Sequence, residues 1–254
     1  MGEVSALRTQ RDGAVLHITL AKPERRNAFD AELISALADA FADVGDARAV
    51  VLAGEGPSFC AGADIEWQRS SIDLSYEENV EDARRLYLML ESIFRCPAPV
   101  VARIRGFALG GGSGLTACAD IAIADEDAVF GFSEVRLGII PSVISPWVLA
   151  RIGPAATRRY FLTGERFDAE TALRIGLVHE VAADLDAAVK RVVADILAGG
   201  PIAVREAKRL VLEPPDKDDA VARAAARRSS EEGQEGLRAF LEKRPPGWRS
   251  ASSS

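Results

Sequence analysis

The chain has 254 residues, 48% of them hydrophobic and 27% charged, with a formal net charge of −7. That is enough chain for one large core, or one core with a smaller appended unit, and the balance of residues excludes a disordered or fibrous protein. The negative charge argues against a nucleic-acid or anionic-membrane partner, and no apolar run approaches the ~20 residues that a membrane-spanning helix needs.

Cys60, Cys96 and Cys118 form no CxxC pair and read as reduced thiols of a cytoplasmic protein. His17 and His179 are the only histidines, so no metal site is expected.

In chain order, residues 14–20 alternate, with Ala14, Leu16, Ile18 and Leu20 on one face, which predicts a half-buried strand. Residues 23–27 form a turn bearing Arg25 and Arg26. Asp30 is a suitable N-cap for a helix carrying Leu33, Ile34, Leu37 and Phe41 on one stripe. Residues 49–53, AVVLA, are apolar throughout and fit a strand covered on both faces. A glycine-bearing turn follows, ending in FCAGAD at 59–64. Residues 68–74 have no periodicity and read as a mobile connection. Ser75 and Glu78 then make a capping box for a helix with Ala83, Leu86, Tyr87, Leu90, Ile93 and Phe94 on one side.

The stretch at 100–141 organises the rest. A β-branched run, VVARI, leads through Gly110, Gly111 and Gly112 into a short apolar helix, and Glu134 follows. Helix starts leave backbone N–H groups free, and glycines let a ligand approach them without meeting a Cβ. Such a place suits an oxygen that becomes anionic during a reaction, with Glu134 as a nearby general acid or base. The spacing is neither a P-loop nor a clean dinucleotide fingerprint. Two strand-to-glycine passages, at 50–64 and 100–114, would form an oxyanion hole if their loops converge. Beyond Glu134, Gly153-Pro154 separates two helices, Asp168 caps another that Gly176 ends, and residues 185–197 are amphipathic. Gly199-Gly200-Pro201 reads as a hinge before three further helices, and no strand pattern appears past Val181. The expected division is a body at 1–198 and a helical region at 199–254.

Taken together, RNAF at 26–29, FCAGAD at 59–64, GFALGGG at 106–112, ADI at 119–121, FGFSEVRLGIIP at 130–141, residues 166–178 and GLRAFLEKR at 236–244 resemble the crotonase, or enoyl-CoA hydratase/isomerase, family. The resemblance implies an α/β fold, a spiral of ββα repeats with a C-terminal helical trimerisation region. It implies a homotrimer or a dimer of trimers, an acyl-CoA substrate, and no cofactor beyond the coenzyme A that the substrate carries. By position, the Ala63 and Gly111 N–H groups would bind the thioester oxygen, and Ala61, Ala63, Asp64, Ile65, Glu66 and Gly110 would line the substrate channel. Arg25 or Arg26 would meet CoA phosphates. Phe240 and Lys243 match tail residues that reach CoA, although Lys243 reads equally well as solvated surface.

The sequence departs from the two-glutamate hydratases of that family. Gly114 stands where the first glutamate would be, and Glu134 stands at the second. A hydratase would then use Glu134 with water held by another group, Ser113, Ser142 and Ser145 being near in sequence. An isomerase moving a double bond between allylic positions needs only one carboxylate, and a non-catalytic acyl-CoA-binding member is the third reading. Residues 133–153 and 158–163 look most like hydratases of methylglutaconyl-CoA or related branched acyl groups, which favours a hydratase. Ile139, Ile140, Val143, Ile144 and Trp147 could shape an acyl pocket or belong to the core.

Overall fold

The computed structural model describes residues 6–250. β1 (Leu7–Asp12) and β2 (Val15–Leu20) pair as an antiparallel hairpin, with Leu7 opposite Leu20. β2 is the expected alternating strand, whereas β1 gave no signal because only Leu7 of its six residues is buried. α1 (Ala31–Ala42) starts where the Asp30 carboxylate accepts from the Leu33 N–H at 2.9 Å, and it buries Leu33, Ile34, Leu37 and Phe41 as the stripe predicts. β3 (Ala49–Gly54) leads to the three-residue β4 (Ser58–Cys60). Of residues 68–74, expected to be irregular, all but Leu74 belong to α2 (Ile65–Ser70) or to a 3-10 turn at Ser71–Asp73. Six residues are too few to display helical periodicity, and the signal lies in the cap, where Asp64 accepts from the Glu66 and Trp67 N–H groups.

α3 (Tyr76–Phe94) carries the expected Ser75–Glu78 capping box. β5 (Val100–Ile104) does not run directly into the glycines. It first yields to β6 (Phe107–Leu109), a second strand in another sheet, before α4 (Gly111–Cys118) begins. β7 (Ile121–Ala124) and β8 (Val129–Gly131) repeat that pattern, and a 3-10 turn at Glu134–Leu137 follows. α5 (Ser145–Thr163) is broken at Gly153, whose φ of 72° and ψ of 169° are not helical, so Gly153-Pro154 separates two helices as read. β9 (Arg166–Asp168), α6 (Ala169–Arg174), β10 (Glu180–Val181) and α7 (Leu185–Ala198) complete the body. The tail comprises α8 (Pro201–Leu212), α9 (Lys217–Ser229), α10 (Glu231–Leu241) and α11 (Gly247–Ser250).

The larger sheet runs β1-β2-β3-β5-β7-β10 and the smaller one β4-β6-β8-β9. β3, β5 and β7 lie side by side and parallel in one sheet; β4, β6 and β8 keep the same order, also parallel, in the other. Each turn of the chain therefore gives one strand to each sheet and returns through helix, which is a spiral of ββα units. The large sheet is covered twice. Val50, Leu52, Val100 and Ala102 enter the main core, while Val15, Ala49, Val51, Val101 and Ile123 meet Leu185, Ala188, Val189 and Val193 of α7. Burial on both faces explains why β3 and β5 read as continuous apolar runs. The tail is fastened to this body by polar contacts: Arg205 donates to the Ala47 carbonyl at 3.0 Å, and Lys208 pairs with Asp120 at 2.7 Å.

Candidate active site

The two glycine-bearing loops meet. A Cβ on Gly62 would stand 2.9 Å from the Leu109 carbonyl oxygen and 3.9 Å from the Gly110 Cα. One on Gly112 would stand 2.2 Å from the Cys60 carbonyl oxygen, so the start of α4 lies directly against the β4 loop. Gly110 takes φ 51° and ψ −117°, a conformation open to glycine and rarely to others, and its N–H donates to the Gly131 carbonyl at 2.8 Å. A parallel bridge joins Phe29 to Ala63: the Phe29 N–H donates to the Gly62 carbonyl, and the Asp64 N–H donates to that of Phe29. These bonds use Ala63's neighbours and leave its own N–H without an acceptor among the described residues. Gly111, first residue of α4, has no carbonyl within its helix to donate to. Both residues line one cavity of about 320 Å³.

Glu134 lines the same cavity. It opens the 3-10 turn after β8, with the fully buried Phe132 anchoring the chain just before it. Its Oε1 would lie 3.1 Å from a Cβ on Gly110, and its Oε2 is buried with no hydrogen-bond partner. Burial pushes the Glu134 carboxyl above its usual range, only partly offset by its own backbone N–H. A carboxyl with one unsatisfied oxygen beside two free N–H donors is suited to moving protons at a carbon next to a carbonyl.

The structure thus brings Ala61, Ala63, Gly110, Gly111 and Glu134 together around one space. Ile139, Ile140, Val143 and Ile144 form its apolar side, whereas Trp147 is core, its ring tilted against Tyr87 with centroids 4.9 Å apart. The other sequence candidates lie outside this lining. Burial would raise the Asp64 carboxyl, but the Glu66 and Trp67 N–H groups and Arg25 outweigh it and hold it low; Arg25 is thereby committed to Asp64 at 3.2 Å. Ile65 points to solvent and Glu66 pairs with Arg69. Arg26 sits 5.7 Å over the Phe107 ring, and Phe240 and Lys243 are exposed on the tail. The water-holding serines are corrected by their hydrogen bonds. Ser113 is fully buried and donates to the Ala108 carbonyl, Ser145 donates to the carbonyl of Ser142, and Ser142 itself is exposed, outside the residues that line the cavity.

Gly114 is packed rather than open. A Cβ there would stand 2.5 Å from Ile144 Cγ2, so the place of a first glutamate is filled by an isoleucine methyl. Sequence reading also missed the wall formed by α2 and α3. Trp67, Gln68, Asn79, Asp82 and Leu86 all line the cavity. On α3 the signal was present, since 79, 82, 83 and 86 share one helical face. Trp67 donates from Nε1 to Asp82 Oδ2 at 3.2 Å across fifteen residues, a pairing that spacing does not reveal.

A family model described as enoyl-CoA hydratase/isomerase matches residues 10–251. The chain belongs to the enoyl-CoA hydratase/isomerase family. It is 34% identical over 247 residues to a crotonyl-CoA hydratase of Syntrophomonas wolfei, covering 91% of this chain and 92% of that one. Among solved structures, an enoyl-CoA hydratase from Shewanella pealeana superposes with a TM-score of 0.92 at 38% identity, covering 97% of each chain. Pseudomonas aeruginosa AtuE gives 0.92 at 37% identity, covering 96% of this chain and 99% of that one. The expected family and its spiral fold are therefore shown, and the cavity described above lies between the loops that carry the family's motifs.

Proposed function

We propose that the protein catalyses reversible hydration of a 2-enoyl-CoA. What supports this reading is that Ala63 and Gly111, whose N–H groups have no acceptor among the described residues, line one largely apolar cavity together with the partly desolvated carboxyl of Glu134. The thioester oxygen accepts from both N–H groups. As water attacks Cβ, electron density moves onto that oxygen, and the two donors stabilise the enolate. The Glu134 carboxylate takes a proton from the attacking water and delivers a proton to Cα. Hydroxyl ends on Cβ, hydrogen on Cα, and the carboxylate is regenerated. Relatives named enoyl-CoA hydratase at this level of identity support the choice of reaction. A branched acyl group such as methylglutaconyl belongs to the same proposal, resting on the motif resemblance at 133–163.

One observation favours a second reading. Because Ile144 fills the space beside Gly114, no second glutamate can stand there to partner Glu134, and moving a double bond between the 3- and 2-positions requires only one such carboxylate. Absorbance of the conjugated thioester separates the two. Crotonyl-CoA and 3-methylglutaconyl-CoA should lose it on hydration. If a 3-enoyl-CoA gains it while neither conjugated substrate loses it, the enzyme is an isomerase and the hydratase reading fails.

A further inference from the structure

A second cavity of about 310 Å³ lies on the outer side of the same wall, between α1 and α3. Ile34, Ala38 and Leu88 supply its apolar lining, with Ser35 and Arg85 as polar groups. The two cavities share just two lining residues, Trp67 and Asp82. Those two residues are hydrogen-bonded to one another, Nε1 to Oδ2 at 3.2 Å, and the Asp82 carboxylate has no other hydrogen-bond or ion-pair partner among the described residues. Trp67 belongs to a six-residue helix that starts two residues after Ala63 and is capped by Asp64. The indole is thus carried on the element that follows the proposed oxyanion hole, and its N–H is latched by a hydrogen bond to α3.

We infer that the Trp67–Asp82 pair is the stop that sets acyl length, closing the cavity beside Glu134 against a second apolar cavity that would otherwise continue it. This rests on the reading of the inner cavity as an acyl-CoA site. With the latch in place the acyl group ends against the indole, and the enzyme prefers short or compact branched chains. With the latch removed, the inner cavity gains a neighbour of equal size, open to further methylenes. Each methylene moved from water into an apolar site favours binding by about a factor of four, so even two newly sheltered methylenes amount to tenfold or more.

The test compares crotonyl-CoA with 2-dodecenoyl-CoA in the full-length enzyme and in Trp67→Ala, Asp82→Ala and Asp82→Asn. The ratio of kcat/KM, long over short, should rise about tenfold or more in Trp67→Ala and rise less in Asp82→Ala, where the indole is unlatched but present. In Asp82→Asn the side-chain amide oxygen still accepts from the indole, and the ratio should stay at the wild-type value. Calorimetric affinities for butyryl-CoA and dodecanoyl-CoA read the same ratio without chemistry. If the wild type turns over neither enoyl-CoA yet the affinity ratio shifts as described, the acyl stop stands and the hydratase reading falls. If the wild type hydrates crotonyl-CoA and folded Trp67→Ala and Asp82→Ala leave both ratios unchanged, the inference is overturned. Trp67→Leu, which keeps apolar bulk, carries the same expectation in smaller degree should the alanine variant fail to fold.

Discussion

Partial removal from water raises the free energy of a carboxylate's charged form, and Glu134 is such a group, half-buried with Oε2 buried and unpartnered. Its folded pKa lies above the ordinary value of 4.5. The native state therefore holds this proton to higher pH than the unfolded chain does, and native stability declines as pH rises from about 4.5 through the raised folded pKa. Glu134→Gln removes that penalty. Its Tm should exceed the wild type's at pH 8, with the difference vanishing near pH 4, while its turnover should fall by about 10²-fold or more. Thermal melts at both pH values and an initial-rate assay check the two halves separately. Because the proposed cycle begins from the carboxylate, the acid limb of the wild-type rate should also lie above the ordinary carboxyl range. At Gly114 the expected outcome is steric. Gly114→Glu alone should destabilise the fold by about 1–3 kcal/mol through overpacking against Ile144, and Ile144→Ala in the same chain should recover part of that loss. Additive losses in a denaturant double-mutant cycle would contradict the contact. At this scale the glycines and Glu134 were legible in the sequence because each sits in a motif. The Ile144 methyl against Gly114, thirty residues away, was not, because no local pattern encodes which apolar residue fills a gap.

Helix caps hold the site's elements in position. Asp64 ends the FCAGAD loop, caps α2 and binds Arg25, so it fixes both the loop bearing Ala63 and the helix bearing Trp67. Asp64→Ala should cost about 1–2 kcal/mol and raise KM, whereas Asp64→Asn should keep most of the stability because an amide oxygen still caps. Chemical denaturation alongside Michaelis kinetics distinguishes the pair. Asn27 performs a similar service upstream. Fully buried at φ 54°, it donates to the Glu55 and Ser58 carbonyls and accepts from the Lys22 N–H. The helices were readable because caps and stripes are local: Asp30, Ser75 and Asp168 each stand where α1, α3 and α6 begin. The strands of the smaller sheet were not. β4, β6, β8 and β9 have three residues each, too few for an alternation to register, and their identity comes from pairing with strands tens of residues away.

For the molecule as a whole, the order of motifs sufficed to imply the spiral, and the two sheets with strands in matched order bear it out. How chains assemble is a separate proposal. α9 has no buried residue and α10 buries only Ala239, while Val211, Phe240 and Leu241 are each more than three-quarters exposed. Apolar side chains so placed fit a subunit interface, and a homotrimer or dimer of trimers would give three or six times 27.1 kDa by sedimentation equilibrium. Phe240→Asp should shift that mass toward the monomer; an unchanged multiple would place the interface elsewhere. The most direct measurement of all is the initial rate of crotonyl-CoA absorbance loss in the wild type beside Glu134→Gln at equal folded concentration. Loss in the wild type, slowed by about 10²-fold or more in the variant, is the expected result. Equal rates in the two proteins would remove Glu134 from the chemistry and contradict the proposed site.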